Sequence, residues 1–124
     1  LQDKIVLLVD DEPAMLAATK AGLTQRGFKV EAAQDADSAL KVIQKLKPSI
    51  VVSDLVMPGT NGFELCQQVR KVADLRTIPF VFLTGVDDYH ARKFGKEIGG
   101  AAYITKPVDL DELADILREK IGGH

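Results

Sequence analysis

The 124-residue chain predicts an α/β fold, a doubly wound, open sheet of five parallel strands with helices on both faces. Three observations carry the prediction. Short β-branched or aromatic runs alternate strictly with segments of helical spacing, so each helix must return the chain to the edge where the next strand starts. The connections are too short to hold a second domain, which makes 1–124 one unit. The first, third and fourth runs are almost wholly apolar, as strands are when helices cover both sides of the sheet.

The elements follow in order. "KIVLLV" (4–9) is the first strand, and it ends on Asp10, Asp11 and Glu12. Pro13 suits the first position of a helix and Gly27 its stop. "FKVEAA" (28–33) is the second strand, followed by a helix whose apolar face is Ala36, Leu40, Ile43 and Leu46. "SIVVSD" (49–54) is the third strand, which stops on Asp54 and turns through Met57, Pro58 and Gly59. Leu65, Val69 and Val72 mark the next helix face, and Cys66 is read as packing within it. "PFVFLT" (79–84) is the fourth strand, and "DDYHARKFGKE" (87–97) carries both charge signs along one side of a helix. "AAYIT" (101–105) is the fifth strand. Asp109 with Glu112 resembles a capping box that opens a last helix with Leu110, Leu113, Leu117 and Ile121 inward.

Composition narrows the function. With 46% apolar and 27% charged residues and a net charge of -2, the chain has the balance of a globular domain and lacks the basic field that grips a phosphate backbone. Direct nucleic-acid binding is not expected. The run "IVLLV" is far shorter than the ~20 residues of a bilayer span, and no secretory-signal pattern opens the chain, so a soluble protein without a membrane partner is expected. One cysteine excludes an internal disulfide and fits a reducing compartment. His90 and His124 have no metal-binding companion and read as surface residues.

In open α/β sheets, ligands gather beyond the carboxyl ends of the strands. Here those ends carry Asp10 and Asp11, Asp54, Thr84 and, just past the fifth strand, Lys106. If the first and third strands are neighbours, about 5 Å separates them, and the carboxylates crowd. Crowded carboxylates raise each other's pKa unless a cation intervenes. Hard oxygen donors, with no Cys or His among them, favour Mg²⁺ or Mn²⁺. A dication that keeps open positions invites a phosphoryl group, which Lys106 and Thr84 are suited to hold and Asp54 to attack.

At these residues the sequence resembles the receiver (phosphoacceptor) domain of bacterial two-component response regulators. The matching pieces are "VDDEP" (9–13), "DLVMPGTNG" (54–62), "FLTG" (82–85) and "AYITKP" (102–107), in the family's order and spacing. The resemblance implies a flavodoxin-like strand order, 2-1-3-4-5. It implies that Asp54 accepts phosphate from a histidine kinase, a phosphotransfer protein or a small phosphodonor. Asp11, Asp54 and the main-chain carbonyl of Val56 would hold Mg²⁺, and Asp10 would help through water. Thr84 and Lys106 would hold phosphoryl oxygens, Tyr103 would be the aromatic switch residue, and the Lys106–Pro107 bond would be cis. It implies a cytoplasmic signalling module, possible as a homodimer through the face of the fourth helix, fifth strand and fifth helix, passing its state to an effector domain or protein. The resemblance also implies that such a module catalyses only its own phosphorylation and dephosphorylation. Thr60 and Asn61 depart from the family's usual apolar and acidic residues, and Val56 and Val86 stand where side chains tune phosphate lifetime.

Each residue also has a simpler reading. Asp10 or Asp11 fits a helix cap, Asp54 a turn, Thr84 a cap after Gly85, Lys106 a solvated cation and Tyr103 a half-buried strand residue. A different function class, a metal-dependent aspartyl phosphatase, would want D-x-D after the first strand, where this chain has Asp10 and Asp11 adjacent. No dinucleotide or Walker A glycine pattern follows that strand.

Overall fold

The computed structural model describes residues 4–85 and 88–122. Five strands, β1 (Ile5–Val9), β2 (Lys29–Ala33), β3 (Ile50–Asp54), β4 (Phe80–Thr84) and β5 (Gly100–Thr105), form one parallel sheet in the order β2-β1-β3-β4-β5. Between and after them run α1 (Pro13–Gln25), α2 (Ala36–Leu46), α3 (Gly62–Arg70), α4 (Tyr89–Glu97) and α5 (Leu110–Gly122). The doubly wound, flavodoxin-like expectation holds, including the strand order. A short 3₁₀ turn at Ala73–Leu75, which periodicity did not suggest, links α3 to β4.

The period-2 alternation of each strand divides the interior into two cores. Leu7 and Val9 of β1, Val51 of β3, and Phe80 and Phe82 of β4 face α2 and α3, burying Ala39, Ile43, Leu65, Cys66 and Val69. Val6 and Leu8, Ile50 and Val52, and Val81 and Leu83 face α1 and α5, burying Leu16, Leu23, Leu113 and Leu117. Phe63 meets Phe82 and Phe94 edge-on at 4.9 and 5.1 Å, which joins α3, β4 and α4.

Caps fix the helix ends. Pro13 is the first residue of α1, and Gly27, at φ +94°, follows its C-cap in the left-handed region that glycine adopts without penalty. Asn61 and Glu64 form a reciprocal capping box for α3, which gives the departure at Asn61 a local structural role. Asp88 caps α4 by accepting from the N–H groups of His90 and Ala91, so capping does not fall to Thr84. Asp109 accepts from the N–H groups of Asp111 and Glu112 at the start of α5. Two expected core positions lie outside: Leu46, in the last turn of α2, is 38% exposed, and Val72 is 39% exposed because α3 closes at Arg70. His90 is exposed; His124 and Val86 lie outside the described residues.

Candidate functional site

The order of the strands reverses between β1 and β3, the crevice where an open sheet collects ligands. Asp10 follows β1 and Asp54 ends β3; both are buried, at 7% and 6% exposure, and Asp11 is half-buried. Each of the three offers a carboxylate oxygen, and these oxygens all lie within 4.8 Å of one another. Lys106 Nζ enters from the β5–α5 connection, 3.2 Å from Asp54 Oδ1 and 3.9 Å from Asp10 Oδ2. The Lys106–Pro107 bond is cis. Asp10 also accepts from the N–H of Glu12 at 2.9 Å, so it serves the turn into α1 and the acidic cluster together.

The neighbouring strands fix these positions. Asp54 pairs in register with Leu83, Thr84 with Thr105, and Thr84 is 1% exposed at the end of β4. The N–H of Lys106 donates to the carbonyl of Thr84 at 2.7 Å, tying the lysine's backbone to the threonine. Beyond Asp54, the N–H of Leu55 donates to Leu83 and the N–H of Gly62 to Leu55, folding the intervening loop back on the strand end. Val56 stands on that loop, 64% exposed. Ser53, which sequence reasoning passed over, is fully buried and donates from Oγ to the carbonyl of Asp54 at 2.9 Å. Its signal was a lone hydroxyl inside an apolar run. Tyr103 is half-buried on β5, packed against the core that contains Phe82, under the guanidinium of Arg92.

Burial pushes the Asp54 carboxyl above its ordinary range; Lys106 opposes the shift, while Asp10 and Asp11 add to it. A carboxyl whose folded pKa is raised favours folding fully below its unfolded pKa, and the benefit is lost as pH rises through the folded value. At neutral pH ionised Asp54 is therefore a cost to the fold. Asp54→Asn is expected to stabilise the metal-free domain at pH 7 by on the order of 1 kcal/mol, with the gain shrinking under acid. Urea denaturation with EDTA at pH 7 and pH 4 checks this, and a loss of stability at pH 7 would contradict it.

The donor set suits a hard dication. In an octahedral shell with bonds of about 2.0–2.1 Å, oxygens lie roughly 2.9–4.1 Å apart, so the trio needs only a small inward shift. All three donors are carboxylates, which suits Mg²⁺ or Mn²⁺ better than softer metals.

A lysine set among clustered carboxylates at the switch point of a doubly wound sheet marks a ligand-binding crevice able to hold both a hard cation and an anionic group. The comparisons with known proteins name the class: the chain belongs to the response regulator receiver domain family, whose model matches residues 6–118. Protein PilH of Pseudomonas aeruginosa is 33% identical over 118 residues, covering 95% of this chain and 98% of PilH. Response regulator Rre1 of Synechocystis is 39% identical over 91% of the chain but 49% of its own length, so the chain spans about half of that relative. The structure of Vibrio cholerae chemotaxis protein CheY4 superposes with a TM-score of 0.88 at 29% identity, covering 94% of this chain and 97% of that one. The family places the chain in two-component signalling, where receiver domains act as switches between kinases and downstream effectors. None of these matches supports the aspartyl phosphatase reading. Among the described residues no helix is long and apolar enough to cross a membrane.

Proposed function

We propose that the whole chain, 1–124, is one receiver domain that takes a phosphoryl group onto Asp54. The donor is a phosphohistidine of a sensor kinase or phosphotransfer protein, or a small acyl or amidophosphate. The observation that carries this reading is the approach of Lys106 Nζ to within 3.2 Å of Asp54 Oδ1 inside a cluster of three carboxylates. A lone solvated lysine or a turn aspartate would need no such company.

In the reaction an Asp54 carboxylate oxygen attacks phosphorus in line, the bond from phosphorus to the donor's nitrogen or oxygen breaks, and the leaving group departs with the electron pair. The product is an aspartyl phosphate, which water later hydrolyses. Lys106 pairs with a phosphoryl oxygen, Thr84 donates its hydroxyl to another, and both oppose charge that grows in the transition state. Asp11, Asp54 and the carbonyl of Val56, with Asp10 through water, would hold Mg²⁺, with Mn²⁺ a workable substitute. When bound, such an ion would supply positive charge against the phosphoryl oxygens and so lower the repulsion between donor and acid cluster.

The new dianionic group draws Thr84 toward it, and Tyr103 follows on the neighbouring strand. This changes the α4–β5–α5 surface read by a cytoplasmic effector or by a second copy of the chain. The test is Mg²⁺-dependent labelling by a radioactive small acyl phosphate. Wild type should take up label that EDTA abolishes, and Asp54→Asn should lose at least about a hundredfold in rate, because an amide is no nucleophile at phosphorus. Equal, stable labelling of both proteins would place the acceptor elsewhere.

A further inference from the structure

Arg92 takes no part in the acidic cluster, yet it makes three attachments to β5. Its guanidinium carbon lies 4.9 Å from the ring centre of Tyr103. One terminal nitrogen donates to the Tyr103 carbonyl at 3.2 Å, and the other donates to Thr105 Oγ1 at 3.1 Å. The residue is rooted in the first turn of α4, where its own N–H donates to the carbonyl of Asp88 at 3.0 Å. One side chain thus grips the ring and the main chain of β5 from the neighbouring helix.

Among the described residues β5 is the outer strand of the sheet, paired with β4 alone, and its register on β4 is irregular between Phe80 and Val81. Among the described residues no further strand pairs with its outer side, and Arg92 from α4 adds its contacts to the ladder with β4. The two gripped residues flank Ile104, and the next residue after Thr105 is Lys106, whose N–H is held by Thr84. Tyr103 packs its inner side on the core containing Phe82, and Arg92 covers the other side.

We propose that Arg92 is the positioning residue for Tyr103: from α4 it closes over the ring and holds it in the packed arrangement, so that α4 as well as the phosphoryl site sets how often Tyr103 is released. The significance for signalling rests on the reading of Tyr103 as the switch; the hold itself does not. A planar cation stacked on a ring, with a fork of donors onto one strand, is a task for arginine; lysine has neither the plane nor the fork. Because coupling is reciprocal, a partner carboxylate that draws Arg92 away frees Tyr103, and release of Tyr103 presents the guanidinium to such a partner.

The chain has two tyrosines, and Tyr89 is 71% exposed. In a Tyr89→Phe background, 3-fluorotyrosine therefore leaves one ¹⁹F reporter, at Tyr103. Adding Arg92→Met should move that resonance toward the solvent-exposed value, lowering the ratio of packed to released ring about fivefold; Arg92→Lys should recover less than half of that. Arg92→Gln, which keeps a donor without the cation, supplies the same readout if the methionine variant does not fold. A Tyr103 resonance unchanged by these substitutions in folded protein would overturn the inference. The measurement needs no phosphate. If the resonance moves while wild type takes no label, the acceptor assignment fails and the hold of Arg92 stands; if label enters Asp54 and the resonance stays, the reverse holds.

Discussion

Lys106→Met is expected to slow labelling of Asp54 by about a hundredfold, the usual loss when one preorganised charge leaves a transition state. Methionine keeps most of the lysine's apolar stem, so packing beside Pro107 changes little while the charge disappears. Two effects add. The phosphoryl oxygens lose a cation, and Asp54 loses the neighbour that opposes its upward pKa shift, leaving burial, Asp10 and Asp11 to push it higher. Less of the acceptor is then ionised at a given pH. The variant should consequently recover part of its rate as pH rises, more steeply than wild type, and initial rates between pH 6 and 8 measure this. Wild-type rates at every pH would show that Lys106 plays no part in the chemistry.

The second large effect concerns the backbone behind Asp54. Gly62 opens α3 where a Cβ would stand 2.6 Å from the carbonyl oxygen of Asp54, 3.1 Å from Leu55 Cα and 3.2 Å from Ser53 Oγ. Two of these are main-chain atoms, which cannot rotate aside, so alanine must push α3 from the strand end. Gly62→Ala is expected to cost about 3 kcal/mol, the upper part of the usual range for overpacking. The urea midpoint should fall with an unchanged slope. Gly85→Ala is the contrast: a Cβ there meets nothing within 4 Å, and its stability should stay within about 0.5 kcal/mol of wild type. Equal stability of Gly62→Ala and wild type would mean that α3 is free to shift.

Strands were legible from the chain because their signal is local. Five apolar runs of period 2 or continuous hydrophobicity each became a strand, and the residues ending them met in one crevice once the strands were parallel. Strand order was not local information; it entered through resemblance, and the structure agrees. The apolar stripes failed where the helices close: Leu46 is the last residue of α2, and Val72 lies two residues beyond the end of α3. Asn61 looked like a loop irregularity until its partner Glu64 stood one turn away. Arg92 read as one more charge on a mixed helix, because its contacts lie 11 and 13 residues along the chain on a different element. Ser53 gave one local sign, a lone hydroxyl inside an apolar run, but its role shows only once its acceptor, the Asp54 carbonyl, is seen. Local pattern therefore placed the acids and the lysine, whereas residues that support them from a neighbouring element needed coordinates.

All five strands run the same way, so every loop at their starting ends, around Gly27, Ser49 and Pro79, belongs to a rim remote from the acids. A five-residue strand is about 16 Å long, roughly twice the reach of electrostatic screening in physiological salt. A fluorophore or affinity handle grafted onto that far rim would leave the reactive end's chemistry untouched. The molecule thus comes with a natural place to be held and another to be watched.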